Sequence, residues 1–210
     1  KGGQPVQLTD GPGHDVGPSW SPDGKSLVYC SLSEAGGQWE LWVVDTTAGG
    51  PRRFIGNGLF PQWSPVGDTI VFQRSRQRGG RWFSIWTLEL VDGEPRYPTE
   101  IASSSEQGLI LPAWTADGGR IAYSGVTALS YPAVEAPMVG PAGQADIWVV
   151  DADGSRRIRM TSGPGAGFSP VFSPDGRIYF TRRIMGLENI WSVGASPPGS
   201  AEARLSRIDP

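Results

Sequence analysis

The chain is 210 residues long, carries a formal net charge of −3 and holds 30 glycines, 19 prolines, nine tryptophans and one cysteine. That length buries a core and suffices for a single domain. The mild acidity lacks the basic balance of a nucleic-acid binder, the lone Cys30 excludes a disulfide framework or a cysteine metal cluster, and no apolar run reaches the ~20 residues of a membrane helix.

Residues 1–10 come first. Gly2-Gly3-Gln4-Pro5-Val6-Gln7-Leu8 parallels Gly49-Gly50-Pro51-Arg52-Arg53-Phe54-Ile55, so this stretch reads as the last strand of a preceding unit. The first full unit, 17–56, opens on Pro18-Ser19-Trp20-Ser21-Pro22-Asp23-Gly24. A short strand there runs into a tight turn, with proline presetting φ and glycine taking a positive one. Ser26–Cys30 and Glu40–Asp45 follow as second and third strands, rich in β-branched and aromatic residues. Pro51–Ile55 is the fourth.

The same grammar returns three times. The second unit, 60–98, carries Pro61-Gln62-Trp63-Ser64-Pro65-Val66-Gly67. In the third, 111–161, the motif is Pro112-Ala113-Trp114-Thr115-Ala116-Asp117-Gly118, and in the fourth, 169–206, Pro170-Val171-Phe172-Ser173-Pro174-Asp175-Gly176. The aromatic anchors stand 43, 51 and 58 residues apart. Self-similarity at that period marks a repeat architecture. The third strands, around Trp42, Trp86, Trp148 and Trp191, are nearly continuously apolar, which fits sheets covered on both faces. The expected fold is an all-β propeller of four-stranded antiparallel blades. About four blades are in view. Five fourth strands, the last near Ala203–Leu205, stand against four copies of the others. The expectation is therefore a stretch of a larger ring of six or more blades. The alternative is a four-blade ring with a spare strand.

Trp-Ser-Pro-Asp-Gly, then an aliphatic–aromatic strand, then Leu/Ile-Trp-Val-Val-Asp and Gly-Gly-x-Arg-Arg, resembles the repeat of TolB-type, WD40-like propellers. The propeller domains of prolyl-oligopeptidase-type peptidases share that repeat. The resemblance runs over essentially the whole chain and rests on turn and packing positions, with departures at Val66 and Thr115-Ala116. It implies a non-catalytic, protein- or peptide-binding scaffold of the bacterial cell envelope, periplasmic or secreted. The alternative it implies is the substrate-gating propeller of a serine hydrolase whose catalytic domain lies outside this stretch. A structural domain of a large assembly is a third reading.

Candidate binding residues sit in loops on one face, where strand 2–3 and strand 4–1 connections open together. The strand 2–3 loop of the third unit is the longest, since Trp114 to Trp148 spans 34 residues against 22, 23 and 19 elsewhere. It contains Tyr131, Glu135 and Met138. Long loops on a rigid scaffold are where function tends to sit. The second-unit loop holds Arg74, Arg76, Arg78 and Arg81, and the last unit adds Arg182 and Arg183. Together they would make a basic patch for carboxylates or phosphates, although charged hairpin loops also serve simply as solvated surface. The strand 4–1 loops add His14, Asp15 and Glu106. Asp151-Ala152-Asp153-Gly154 begins like a calcium loop but sits where a hairpin turn is needed, and the turn reading wins. No Gly-x-Ser-x-Gly elbow, zinc-binding His-Glu-x-x-His or phosphate loop is present. No catalytic residue, metal or cofactor is expected.

Overall fold

The computed structural model describes residues 3–11, 13–33, 37–46, 50–75, 83–127 and 144–195. Among them there are fifteen strands and no helix. The first blade is β1 (Asp15–Trp20), β2 (Ser26–Leu32), β3 (Trp39–Asp45) and β4 (Arg53–Asn57), hydrogen-bonded in that order. The second is β5 (Leu59–Trp63), β6 (Thr69–Ser75), β7 (Phe83–Val91) and β8 (Glu94–Ala102). The third is β9 (Gln107–Trp114), β10 (Arg120–Thr127), β11 (Ala145–Asp151) and β12 (Arg157–Arg159), and the fourth shows β13 (Ala166–Phe172), β14 (Arg177–Ile184) and β15 (Leu187–Gly194). Pairing within each blade is antiparallel; one parallel pair, Ala145 with Ala166, links the third and fourth. First strands of successive blades touch, β1 on β5, β5 on β9 and β9 on β13, so they are the inner strands of a propeller arc. Gly3–Gly11 carries no strand. A fourth strand needs a third strand beside it, and β3 already pairs with β4. The expected fourth strand at Ala203–Leu205 lies outside the described residues.

The turn after each anchor is built by its own side chains. The Ser21 hydroxyl donates to Asp23 Oδ1 at 2.6 Å and accepts the Ser26 N–H at 2.9 Å. Thr115, Asp117 and Arg120 repeat this at 2.6 and 2.9 Å, and Ser173 again donates to Asp175. In the second blade Val66 replaces the aspartate, and the Ser64 hydroxyl turns to the Val66 carbonyl at 2.7 Å instead. These hydrogen bonds favour the ionised carboxylate, and the hydroxyl of Ser21, Thr115 or Ser173 is the largest cause holding each aspartate below its ordinary value of 3.8. A carboxylate lowered in the fold adds stability that is present above its unfolded value and lost as pH falls through the lowered one. The stability advantage of the native chain over Asp117→Asn should thus be full at neutral pH and shrink below about pH 4. Urea midpoints of both proteins across that range check this; an advantage constant with pH would refute it.

Each inner strand also carries a bulge that the sequence does not announce. Three residues before each anchor the backbone turns left-handed, at Gly17 (φ 65°), Phe60 (49°), Leu111 (55°) and Ser169 (53°). The register with the second strand slips at each of these sites. A proline follows every one. Only Gly17 has a residue type suited to positive φ. The others are held by the ladder on either side, as bulges are.

Blades are sealed to one another by apolar faces. Val28, Leu41 and Val43 of the first blade join Trp63, Ile70 and Phe72 of the second in one cluster. Ile85 meets Leu109, Ile121 and Tyr123 across the next seam, and Ile147 with Val149 meets Ile178 and Phe180 across the third. Hydrogen bonds cross these seams: Trp63 N–H to Ser19 Oγ at 2.9 Å, Leu111 N–H to Gln73 Oε1 at 2.8 Å, and Trp114 Nε1–H to the Gln62 carbonyl at 3.0 Å. Among the described residues the blades form an open arc. Leu41, Ile85 and Ile147 occupy one equivalent third-strand position and are 0 % exposed, whereas Ile190, at the same position in the fourth blade, is 78 % exposed.

Candidate functional site

The strand 2–3 and strand 4–1 connections do share one face. Thr127, the last residue of β10, pairs with Gln107, the first of β9, and the Gln107 amide reaches the Thr127 hydroxyl at 3.4 Å. The long connection of the third blade leaves from a paired stem. Val126 is registered with Ala145, and the Thr127 N–H donates to the Gln144 carbonyl at 2.9 Å. Beneath the stem lies a small apolar cluster, Ile110, Val126, Ala145 and Ala166, with Phe83, Leu111 and Phe168 against it. Three blades contribute to it, so the base of this connection is rigid. Tyr131, Glu135 and Met138 lie outside the described residues, as do Arg76, Arg78 and Arg81.

The described arginines of the expected patch are engaged within their own blades. The Arg74 guanidinium lies 5.2 Å from the Trp86 ring centre, and that of Arg182 lies 5.7 Å from Trp191. Arg182 also donates to the carbonyls of Pro164 and Ser162 at 2.9 and 3.1 Å. Arg183 pairs with Glu188 at 2.6 Å. Arg74 and Arg182 are equivalent residues, each two after a buried phenylalanine, Phe72 or Phe180.

A rule emerges when the other blades are added. Every third-strand tryptophan is covered by one arginine. In the first and third blades that arginine comes from the fourth-strand side: Arg52 stands 4.6 Å from the Trp42 ring and Arg157 4.4 Å from Trp148. There the second-strand position is small, Ser31 or Gly125. Glycine is required at 125, because a Cβ would stand 2.8 Å from Trp148 Nε1 and 2.9 Å from Gln107 Oε1. Sequence reasoning missed this exchange. Its signal was the pairing of a small residue in β2 or β10 with an arginine doublet at the fourth strand.

Arg157 alone of the four lies near two rings. It is half-buried, donates to the Ser103 carbonyl at 3.1 Å, and lies 5.5 Å from the Tyr123 ring as well as 4.4 Å from that of Trp148, its cross-strand neighbour. Burial pushes the Tyr123 phenol well up, with the Arg157 charge pulling against it.

The remaining expected residues are spread along the face. His14 is exposed, and its carbonyl accepts the Leu32 N–H at 3.2 Å. Asp15 is half-buried opposite Ser31, and Glu106 is exposed with its N–H on the Ser104 hydroxyl at 3.1 Å. Burial lifts the Cys30 thiol to about 11, which keeps it an inert core group. Asp146, buried, takes Arg159 at 2.5 Å and the Thr161 hydroxyl at 3.2 Å. A groove of about 450 Å³ opens beside the stem, lined by Gln144, Gly163, Pro164, Gly165, Arg183, Met185 and Gly186. Among the described residues no cluster of three metal-ligating side chains occurs, and no helix is long and apolar enough to cross a membrane.

No protein-family model matches the chain. An uncharacterized protein of Agrobacterium fabrum is 30% identical over 124 residues, which is 59% of this chain and 35% of that protein. Among solved structures, a protein of Agrobacterium tumefaciens assigned as TolB superposes with a TM-score of 0.64 at 23% identity, over 88% of this chain and 60% of its own. TolB from Acinetobacter baumannii gives 0.66 at 19%, over 90% and 43%. Puromycin hydrolase gives 0.62 at 18%, over 89% and 28%. The chain thus spans about a third of the curated relative and less than two thirds of each of these structures. Its own sheets, bulges and seams, and these superpositions, give it the fold of a TolB-type β-propeller, present as an arc of four blades.

Proposed function

We propose that the chain is a non-catalytic propeller scaffold of the cell envelope, periplasmic or secreted, which holds a protein or peptide on the face carrying the long third-blade connection. The observation that carries this reading is the paired stem at Thr127 and Gln144, seated on an apolar cluster from three blades. A rigid base presenting a long variable connection is the usual layout of a recognition loop. The groove beside Gln144 and Arg183 supplies concave surface next to it. Arg76, Arg78, Arg81 and Tyr131 belong to this proposed surface, with His14, Asp15 and Glu106 on the same face.

The test replaces residues 128–143 with a short Asn-Gly turn on the existing stem. The melting temperature should stay within a few degrees while capture of envelope proteins by the immobilised chain falls at least tenfold. Equal capture by both forms would overturn the reading. A second variant, with glutamine for Arg76, Arg78 and Arg81, separates charge from loop shape.

The likeness to puromycin hydrolase supports a second reading, a propeller that gates access to a hydrolase domain. Sequence adjoining this stretch decides between them. An α/β-hydrolase segment with a Gly-x-Ser-x-Gly elbow would establish the gating role.

A further inference from the structure

We propose that Asp146 is a latch with two settings. In one it ties the foot of the long third-blade connection to the strand 4–1 connection that leads into the fourth blade; in the other it takes the Trp148 indole N–H. Its role rests on the binding function proposed for that face. In the first two blades the residue two before the third-strand tryptophan accepts that tryptophan's N–H: Glu40 from Trp42 Nε1 at 3.1 Å, and the Ser84 hydroxyl from Trp86 Nε1 at 2.9 Å. In the third blade the position holds Asp146, which is 2 % exposed. Its carboxylate is turned elsewhere, accepting from Arg159 Nη2 at 2.5 Å and from the Thr161 hydroxyl at 3.2 Å. The buried Trp148 Nε1–H has no hydrogen-bond partner among the described residues, a costly state for a buried donor. Reach does not prevent the bond, since aspartate extends further than the serine and less far than the glutamate that make it. The indole nitrogen is in place too. It lies 2.8 Å from where a Cβ on Gly125 would stand, and Gly125 is the register partner of Asp146. Gln107 Oε1, the other acceptor over Gly125, already takes Arg157 Nη2 at 3.5 Å.

The observed setting joins two connections through one carboxylate. Asp146 stands one residue inward of Ala145, which forms the stem's rung with Val126. The Thr161 hydroxyl that donates to Asp146 also accepts the Ile147 N–H at 2.9 Å, and Arg159 Nε–H donates to the Thr161 carbonyl at 2.9 Å. Thr161 leads into Gly163 and Gly165, which line the groove together with Gln144. The Gln144 amide reaches the Gly163 carbonyl at 3.4 Å. Asp146 therefore fixes the stem and that wall of the groove relative to each other. Arg159 is the releasable part, because its side chain is 43 % exposed while that of Asp146 is 3 %. A buried carboxylate that loses its cation needs another donor, and the Trp148 indole supplies one. Release of Arg159 thus satisfies the orphaned indole and loosens the stem in the same step.

Proton–nitrogen NMR of the full chain tests this, with the Trp148 indole signal assigned from a Trp148→Phe variant and circular dichroism as the check on folding. Arg159→Ala changes an exposed side chain and leaves the fold intact. It should move the Trp148 indole proton downfield, as a new hydrogen bond does. It should also speed backbone amide exchange at Ile147 and Thr127 at least tenfold. Adding Asp146→Ala to Arg159→Ala removes the acceptor together with its lost partner, so no unpaired charge stays buried, and the indole signal should return upfield. A Trp148 signal that Arg159→Ala leaves in place would overturn the proposal. So would a shift that persists in the double variant, or exchange at Ile147 and Thr127 that matches the wild type. No partner protein enters these measurements, so their failure is distinct from a failure of capture.

Discussion

Ile147→Ala should destabilise the chain by about 2–5 kcal/mol, while Ile190→Ala, at the same position of the next blade, should stay within about 0.5 kcal/mol. Both residues sit in a third strand directly before a tryptophan, Trp148 or Trp191, and neither the residue type nor that neighbour tells them apart. Only burial does: Ile147 is 0 % exposed between the third and fourth blades and Ile190 is 78 % exposed. Truncating Ile147 removes buried methyl groups and leaves a cavity walled by Val149, Ile178 and Phe180, which strands on both sides hold in place. At this chain length each kcal/mol corresponds to about 2–4 °C of melting temperature. Ile147→Ala should therefore melt well below the wild type at every protein concentration. Ile190→Ala should melt close to the wild type. A large loss for Ile190→Ala would mean that the trailing face of the fourth blade is covered.

The same pair of isoleucines shows where sequence legibility ends. The repeat is legible because its signals are local. Ser21, Asp23 and Gly24 make a turn with each other, so the motif specifies its own geometry wherever it occurs. The third strands are legible because burial on both faces removes the polar alternation. The inner-strand bulge is not legible at Phe60, Leu111 or Ser169, since none of these residue types favours positive φ; neighbouring strands impose it. Nor was the engagement of Arg74 and Arg182. Their positions suggested a shared basic surface, but a guanidinium lying near its own blade's tryptophan gains contact without crossing between blades. The face that carries the variable loops followed from strand order alone and holds in the structure, at Gln107 and Thr127.

Arg157→Ala should cost about 2–3 kcal/mol, and Arg157→Lys should recover less than half of it. The guanidinium lies near two aromatic rings, Trp148 at 4.4 Å and Tyr123 at 5.5 Å. It also ties the third blade to the carbonyl of Ser103, in the connection from the second. Alanine removes both ring contacts and a charge-assisted hydrogen bond, and opens space that Gly125, with no side chain, cannot fill. Lysine keeps the charge but not the plane: an ammonium has no flat face to lay on a ring while donating sideways to a carbonyl. The comparison within the chain is Arg74→Ala. Arg74 lies over one ring, at 5.2 Å, on the far side of its blade from the fourth strand, and its loss should cost about 0.5–1 kcal/mol. Urea unfolding of the three variants ranks them directly. If lysine proves as good as arginine at 157, charge alone is what the site needs and the planar shape of the guanidinium explains nothing. If Arg157→Ala costs no more than Arg74→Ala, the second ring and the bond to Ser103 add nothing to stability. The expected order, with Arg157→Ala the most costly, Arg157→Lys next and Arg74→Ala the mildest, follows only if the arginine acts as a rigid plate. That plate stiffens the blade from which the long connection departs, which places a stability determinant directly beneath the surface proposed to bind.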